Sequence, residues 1–352
     1  MIQGVTKTEA NYRAVLLDSS SSLKDFSMDR KKYLKKYILN EKIKDKDDDS
    51  YAATMGRIVE TQLMEPEEVE KRFYLSSCLS APTGLMLEFV EALYRETRDC
   101  TDEFGKVGKT FEELTHEAYK ASGFKIKYEA VLSKFIDSDA QLYYDEIRKV
   151  RTNNLTVVTA QDLANGEKVV QELRTNPVTK DIVNLVPSKR YTILNQLQIE
   201  GYEVENHMFK SMMDKVIIDH EERTIQVYDL KCVWSVEGFY DDYYLYRRAY
   251  IQAYLYWRAA LSMANNEDSE WYGYSVPYPQ FIVCDSTNYF NPLIYTLDQE
   301  DMEDAYNGFE HKGRKYKGVK FLIADLKWAL EENVWNMSRE NFNTNGLVNI
   351  KG

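Results

Sequence analysis

Two stretches near the middle of the chain mix apolar and β-branched residues with polar ones. Lys210 to Asp219 and Thr224 to Val233 flank the polar His220-Glu221-Glu222-Arg223, which predicts a strand, a tight turn and a strand. The strand pattern reaches back to Asn195, and a further strand is expected at Gln280 to Asp285. From Tyr240 to Met263 the chain lacks Gly and Pro, and Leu245, Ala249, Gln252, Tyr256 and Ala259/Ala260 recur at spacings of three and four. That is one face of a helix. Upstream, helices are expected at 29–44, 51–74, 82–98, 110–122, 137–151 and 162–175. The acidic run Asp45 to Asp49 reads as a loop, Ser80-Ala81-Pro82-Thr83 as a helix entry and Asn176-Pro177 as a break. Helices at 298–312 and 318–335 close the chain. No internal repeat is visible. The pattern predicts an α/β fold in which a helical N-terminal part, 1–185, precedes a sheet and helix at 190–290, all within one unit spanning 1–352.

The hairpin carries the chemistry. Asp214 and Asp229 lie equally far from a turn centred on residues 221 and 222, so they are expected to be rough cross-strand partners. Like charges placed so repel and destabilise a sheet; a divalent cation is the natural offset. Alternation puts Asp229 and Lys231 on one face and Leu230 on the other. Hard cations such as Mg²⁺ are held by one or two carboxylates with water and substrate phosphate, and a lysine on that face can stabilise charge on a reacting phosphate. Asp-x-Lys alone is short and common, and an ordinary solvated hairpin would also carry it. A glutamine at position 252 could donate and accept at the wall of such a site, although a tyrosine-rich packing helix has the same pattern. Glu200, on the preceding strand, is a further acidic candidate, whereas Tyr202, Glu203 and Glu205 read as surface residues of a connecting turn.

The order Asp214, then Asp229-Leu230-Lys231, then Gln252-Ala-Tyr-Leu-Tyr256 resembles the PD-(D/E)xK nuclease superfamily, and its last element resembles the RecB-like branch. Gly56-Arg-Ile-Val-Glu60-Thr-Gln-Leu-Met-Glu65-Pro66 is similar to the opening helix, Gly-x-x-x-His-x-x-x-x-Glu-Pro, of RecE-like phage and prophage exonucleases. Ser19-Ser-Ser-Ser-Leu23-Lys24, followed by Tyr33, is similar to the serine-rich entry segment of that group. The resemblance covers residues 15–75 and 190–260. It implies a central mixed sheet flanked by helices, a first site helix within 51–74, and a Mg²⁺- or Mn²⁺-dependent exodeoxyribonuclease acting at double-strand ends in phage recombination or replication. Metal ligands would be Asp214, Asp229, the Leu230 carbonyl and Glu60, which stands where the family usually has histidine. Lys231 would serve catalysis, with Gln252 and Tyr256 positioning the strand. It also implies ring-shaped homo-oligomers, DNA as partner and a single-strand annealing recombination protein as a further one. The alternatives are an inactive DNA- or partner-binding protein on the same fold, and a structure-specific endonuclease.

Composition tempers this picture. The net charge is −12 and the pI about 5.1, awkward for a nucleic-acid enzyme because phosphate neutralisation supplies much of the affinity. A local basic groove would suffice, and Arg30-Lys31-Lys32, Lys35-Lys36, Lys189-Arg190 and Arg247-Arg248 are its candidates. No apolar run approaches the roughly 18 residues of a spanning helix, and no basic-then-apolar signal opens the chain; a cytoplasmic protein, in the bacterial host if phage-encoded, is expected. Cys78, Cys100, Cys232 and Cys284 are scattered, arguing against a disulfide framework or an iron–sulfur cluster.

Overall fold

The structure, a computed structural model, describes residues 9–41, 50–76, 81–101, 107–287 and 291–348. The acidic run Asp45–Asp49, Cys78 and Ser80 lie outside the described residues. The chain's contacts gather into two compact units rather than the one expected: Met1–Glu65 with Gly166–Gly352, and Pro66–Asn165. The division arises because residues 66–165 close an apolar core of their own.

The chain opens with α1 (Glu9–Arg13), α2 (Ser20–Met28), α3 (Arg30–Tyr33) and α4 (Tyr51–Met64). A capping box between Ser19 and Ser22 starts α2, satisfying N–H groups that the helix cannot pair internally. Between α3 and residue 38 the helix widens into a π-turn, so the helix expected at 29–44 is short and irregular. The helix expected at 51–74 stops at Met64: Glu65 is pushed out of helical geometry (φ −142°, ψ 57°) by Pro66, which disfavours the helical region for the residue before it.

The second unit contains α5 (Val69–Arg72), β1 (Phe73–Leu75), α6 (Leu85–Asp99), α7 (Phe111–Ser122), α8 (Tyr128–Phe135), α9 (Asp139–Thr152) and β2 (Thr156–Val158). β1 and β2 pair in parallel. Phe89, Leu93, Leu114, Val131, Phe135 and Ile147 form its core, with Phe89 and Phe135 edge to face at 5.3 Å between centroids. The boundary falls within α10 (Ala160–Thr175), which is followed by α11 (Lys180–Val183).

The first unit is built on a five-stranded sheet: β3 (Tyr191–Val204), β4 (His207–Asp219), β5 (Thr224–Val233), then, beyond α12 (Ala249–Ala264), β6 (Gln280–Asp285) and β7 (Leu293–Tyr295). Its order is β3-β4-β5-β6-β7, antiparallel except for the parallel β5–β6 pair. It is therefore a mixed sheet, with helices on both faces. Val227, Val233, Phe281 and Val283 pack with α12, while Leu230, Cys232, Ile282 and Cys284 pack with α4 and α10. Strand alternation sorts neighbouring residues of β5 and β6 into these two cores.

Glu205 and Asn206, both with positive φ (52° and 53°), turn β3 into β4, matching the twist of a two-residue hairpin. Tyr202 is not at the surface: a bulge at Gly201 (φ 75°) redirects it into the core, where it is 2% exposed and shares a hydrogen bond with Ser211 at 2.7 Å. The helix expected over 240–263 is two pieces. A π-helical segment, Tyr240–Tyr246, ends before Arg248, whose φ of 57° breaks the path without Gly or Pro. α12 is buried on nearly all sides rather than along one face. The helix expected at 298–312 ends at Asn307, as α13 (Gln299–Asn307); a hairpin of β8 (Phe309–His311) and β9 (Arg314–Tyr316) follows, then α14 (Val319–Glu332) and α15 (Arg339–Asn343). Among the described residues no helix is long and apolar enough to cross a membrane.

Candidate active site

β4 and β5 pair regularly from Asp219 opposite Thr224 to Lys215 opposite Tyr228. The next pair in this register is Asp214 opposite Asp229, and there the ladder stops. On the other side of β4 the ladder skips the same level, passing from Asn195–Lys215 to Leu197–Met213, and Gln196 has a φ of 51°. Asp214 thus sits where both neighbouring ladders are interrupted. Its carboxylate substitutes for the missing main-chain partner: the Leu230 N–H donates to Asp214 Oδ2 at 2.9 Å. The expected cross-strand register holds, but side chain replaces backbone in the pairing.

Asp229 is 1% exposed. Gln252 Nε2 donates to its Oδ1 at 2.8 Å, and the Lys231 ammonium lies against its Oδ2. The Leu230 carbonyl is 3.5 Å from Lys231 Nζ and so opens onto the same place, while the Leu230 side chain packs on the other face of the sheet. Gln252 Nε2 also donates to the Tyr256 hydroxyl at 2.9 Å, and that hydroxyl donates to the Met212 carbonyl at 2.6 Å. From α4, Glu60 accepts a hydrogen bond from Gln196 Nε2, and its charge bears on Asp214 and Lys231. The seven residues to which the resemblance gave site roles, Glu60, Asp214, Asp229, Leu230, Lys231, Gln252 and Tyr256, therefore come together in one cluster.

The electrostatics are strained. Burial, then Asp229 and then Glu60 push the Asp214 carboxyl well above the usual range, against the opposing pull of Lys231 and the Leu230 N–H. Burial disfavours the charged Lys231, but Asp229 and Asp214 outweigh it and hold its ammonium above the ordinary value. Burial and the same two aspartates push the Tyr256 phenol up, keeping it a hydrogen-bond donor.

Two members of the cluster had no site role in the sequence. Lys24, on α2, donates to Gln252 Oε1 at 3.1 Å; burial, then Lys231, lower its pKa to about 8. Gln196 holds Glu60. Lys24 was visible only as the end of the serine-rich segment, and nothing local marks a partner 228 residues away. Glu200 goes elsewhere: it lies four residues beyond Gln196, about 13 Å at the rise of a strand, opposite Lys210, and its charge acts on Tyr12 and Lys210. Several expected basic groups are internally paired, Arg30 with Asp325 at 3.0 Å, Lys32 with Asp25 at 2.7 Å and Arg190 with Asp219 at 2.7 Å. Arg247 is exposed, stacks on Tyr243 and exerts its charge on Lys24. Cys232 and Cys284, distant in sequence, are register partners in β5 and β6 and remain free thiols.

The donor set is oxygen only. Among the described residues no group of three or more His, Cys, Asp or Glu side chains is gathered closely enough to hold a metal by itself. Two mutually repelling carboxylates, Asp229 buried and Asp214 half-buried, beside a main-chain carbonyl nevertheless match what Mg²⁺ or Mn²⁺ accepts when water and substrate complete the shell. A site for zinc, built on His and Cys, is a different arrangement.

No family model matches the chain, and no curated protein matches it. Among solved structures it is similar to the crystal structure, at 2.19 Å, of a "putative exonuclease" from Eubacterium rectale, with 9% identity and a TM-score of 0.46 over 99% of this chain and 89% of that one. A likeness that distant carries no argument about the site.

Proposed function

We propose that the protein is a Mg²⁺- or Mn²⁺-dependent deoxyribonuclease of the PD-(D/E)xK type, a RecE-like exonuclease that digests DNA from double-strand ends during phage recombination or replication. The observation that carries this reading is the convergence of Asp214, Asp229 and Lys231 at the interrupted level of the sheet, with Glu60, Gln252 and Tyr256 closing around them. Asp214, Asp229 and the Leu230 carbonyl would hold the cation, with Glu60 beside them. A cation bound there supplies Lewis acidity, acidifying water and polarising a phosphoryl oxygen. Lys231 then stabilises charge developing on the scissile phosphate. Gln252 keeps Asp229 in place, and Tyr256, held as a phenol, orients Gln252. Lys24, Lys231 and Arg247 give local positive charge on an acidic protein, which is what phosphate contact requires. A homo-oligomer and an annealing partner belong to the same proposal.

The test is digestion of a linear duplex and a covalently closed circle with Mg²⁺, Mn²⁺ or chelator, wild type beside Lys231→Ala. Metal-dependent loss of the linear DNA alone, reduced at least about 10²–10³-fold in the variant, is expected. Cleavage of the circle would make it an endonuclease. Absence of cleavage with both metals would leave a DNA- or partner-binding protein.

A further inference from the structure

Gln252 is held from two sides in a way that fixes which end of its amide faces Asp229. Lys24 can only donate, and it donates to Gln252 Oε1 at 3.1 Å. The Tyr256 hydroxyl uses its one hydrogen on the Met212 carbonyl at 2.6 Å and therefore accepts from Gln252 Nε2 at 2.9 Å. Both contacts select the same orientation, with Nε2 aimed at Asp229 Oδ1. A flipped amide would face its NH₂ group toward an ammonium and its carbonyl toward a carboxylate. Lys24 is itself placed by the fold. α2 begins at its capping box and buries Leu23 and Phe26, 0% and 1% exposed, in the core that contains α12.

We propose that Lys24 is a positioning residue: through Gln252 it pins Oδ1 of Asp229, so that only Oδ2, now facing Lys231, is free to exchange that ammonium for a cation. The exchange rests on the reading of Asp229 as a metal ligand given above; the pinning does not. It also explains why an ammonium is built in whose hydrogen bond goes to an amide oxygen beside the carboxylates. Its effect passes through an amide to the one oxygen it must hold.

The deciding measurement uses metal-free protein and no DNA. With glutamine labelled in ¹⁵N, the Gln252 side-chain amide is assigned by its loss in Gln252→Leu. In the wild type its two protons should be dispersed and exchange slowly. Lys24→Met should move the pair toward the position of a solvated glutamine and speed exchange about ten-fold or more, and Lys24→Arg should restore it. An unchanged amide in Lys24→Met overturns the proposal; if that variant does not fold, Lys24→Gln takes its place. In cleavage, Lys24→Met should lower kcat about ten-fold with KM for DNA changed less than about three-fold. Adding it to Gln252→Leu should cost less than about two-fold more, since both remove one pathway. Additive losses would overturn the pathway. Should the wild type not cleave, the nuclease reading fails alone, and the amide still decides the role of Lys24.

Discussion

Two carboxylate clusters of the first unit are built on opposite principles. Asp18 meets only donors. Its Oδ1 accepts from Ser22 Oγ at 2.7 Å and from the Tyr33 hydroxyl at 2.9 Å, and its Oδ2 from His207 Nε2 at 2.8 Å. Its main chain bridges to Phe209 and accepts from the Lys210 N–H at 2.8 Å. Asp214 and Asp229 instead meet each other, with Glu60 nearby, in a place where burial already disfavours charge. The Asp18 cluster is complete as it stands and ties α2, α3 and β4 together. The other is left electrostatically unsatisfied at an interruption of two strand ladders, and such local conflict is what a ligand site leaves when the ligand supplies the missing charge.

The comparison breaks most sharply at Asp18. Asp18→Ala strands three donors and should destabilise the protein by about 3 kcal/mol, roughly 6–12 °C in Tm for a unit of this size. Thermal melting checks it. A Tm within about 2 °C of wild type would show that this cluster is no more structural than its counterpart.

Asp214→Asn should act in the opposite direction. A carboxyl whose folded pKa is raised binds more protons folded than unfolded above the ordinary carboxyl range, so wild-type stability falls as pH rises through that window. Asparagine removes the charge and still accepts from the Leu230 N–H. Metal-free Asp214→Asn should therefore be more stable by about 1–2 kcal/mol at pH 7, with the gain vanishing as pH falls below the ordinary carboxyl range, where the Asp214 carboxyl is protonated folded and unfolded alike. Mg²⁺ or Mn²⁺ should raise the Tm of the wild type by mass action and leave the variant unmoved. A variant less stable at pH 7 than at pH 4, relative to wild type, would contradict the assigned strain.

What the sequence disclosed follows from where its information is local. The turn at 220–223 fixes the register of β4 and β5, and the register fixes that Asp214 and Asp229 share a level; alternation then assigns Lys231 and Leu230 to opposite faces. The interruption at Gln196 was not legible, because a positive φ at a glutamine is imposed by its surroundings and has no compositional mark. Arg248 breaks its helix for the same reason. Lys24 showed only as the end of the serine-rich segment, since its partner comes from α12. β7, β8 and β9 have three residues each, too few for alternation to register. Tyr202 was misplaced because it was read with Glu203 and Glu205 as part of the connecting turn, whereas Gly201 makes a bulge and the strand continues to Val204.

A smaller perturbation reaches the strained cluster without touching a charge. Gly166 in α10 faces α4: a Cβ there would lie 2.3 Å from Ile58 Cγ2 and 2.8 Å from Gln62 Oε1, the residues two positions either side of Glu60. Alanine in a helix interior gains about 1 kcal/mol over glycine, but overpacking costs about 1–3 kcal/mol. The Gln62 side chain can swing away, whereas Ile58 is fully buried and can yield only if α4 moves. Gly166→Ala should therefore lose about 1 kcal/mol net and shift Glu60 outward. Glu60 contributes to the raised pKa of Asp214, so the metal-free variant should recover part of the stability that wild type loses between pH 4 and pH 7, while cleavage falls a few-fold. If stability drops uniformly across pH and cleavage is unchanged, α4 packs on the sheet without setting the charge at Asp214, and Glu60 belongs with the complete carboxylates rather than the strained ones.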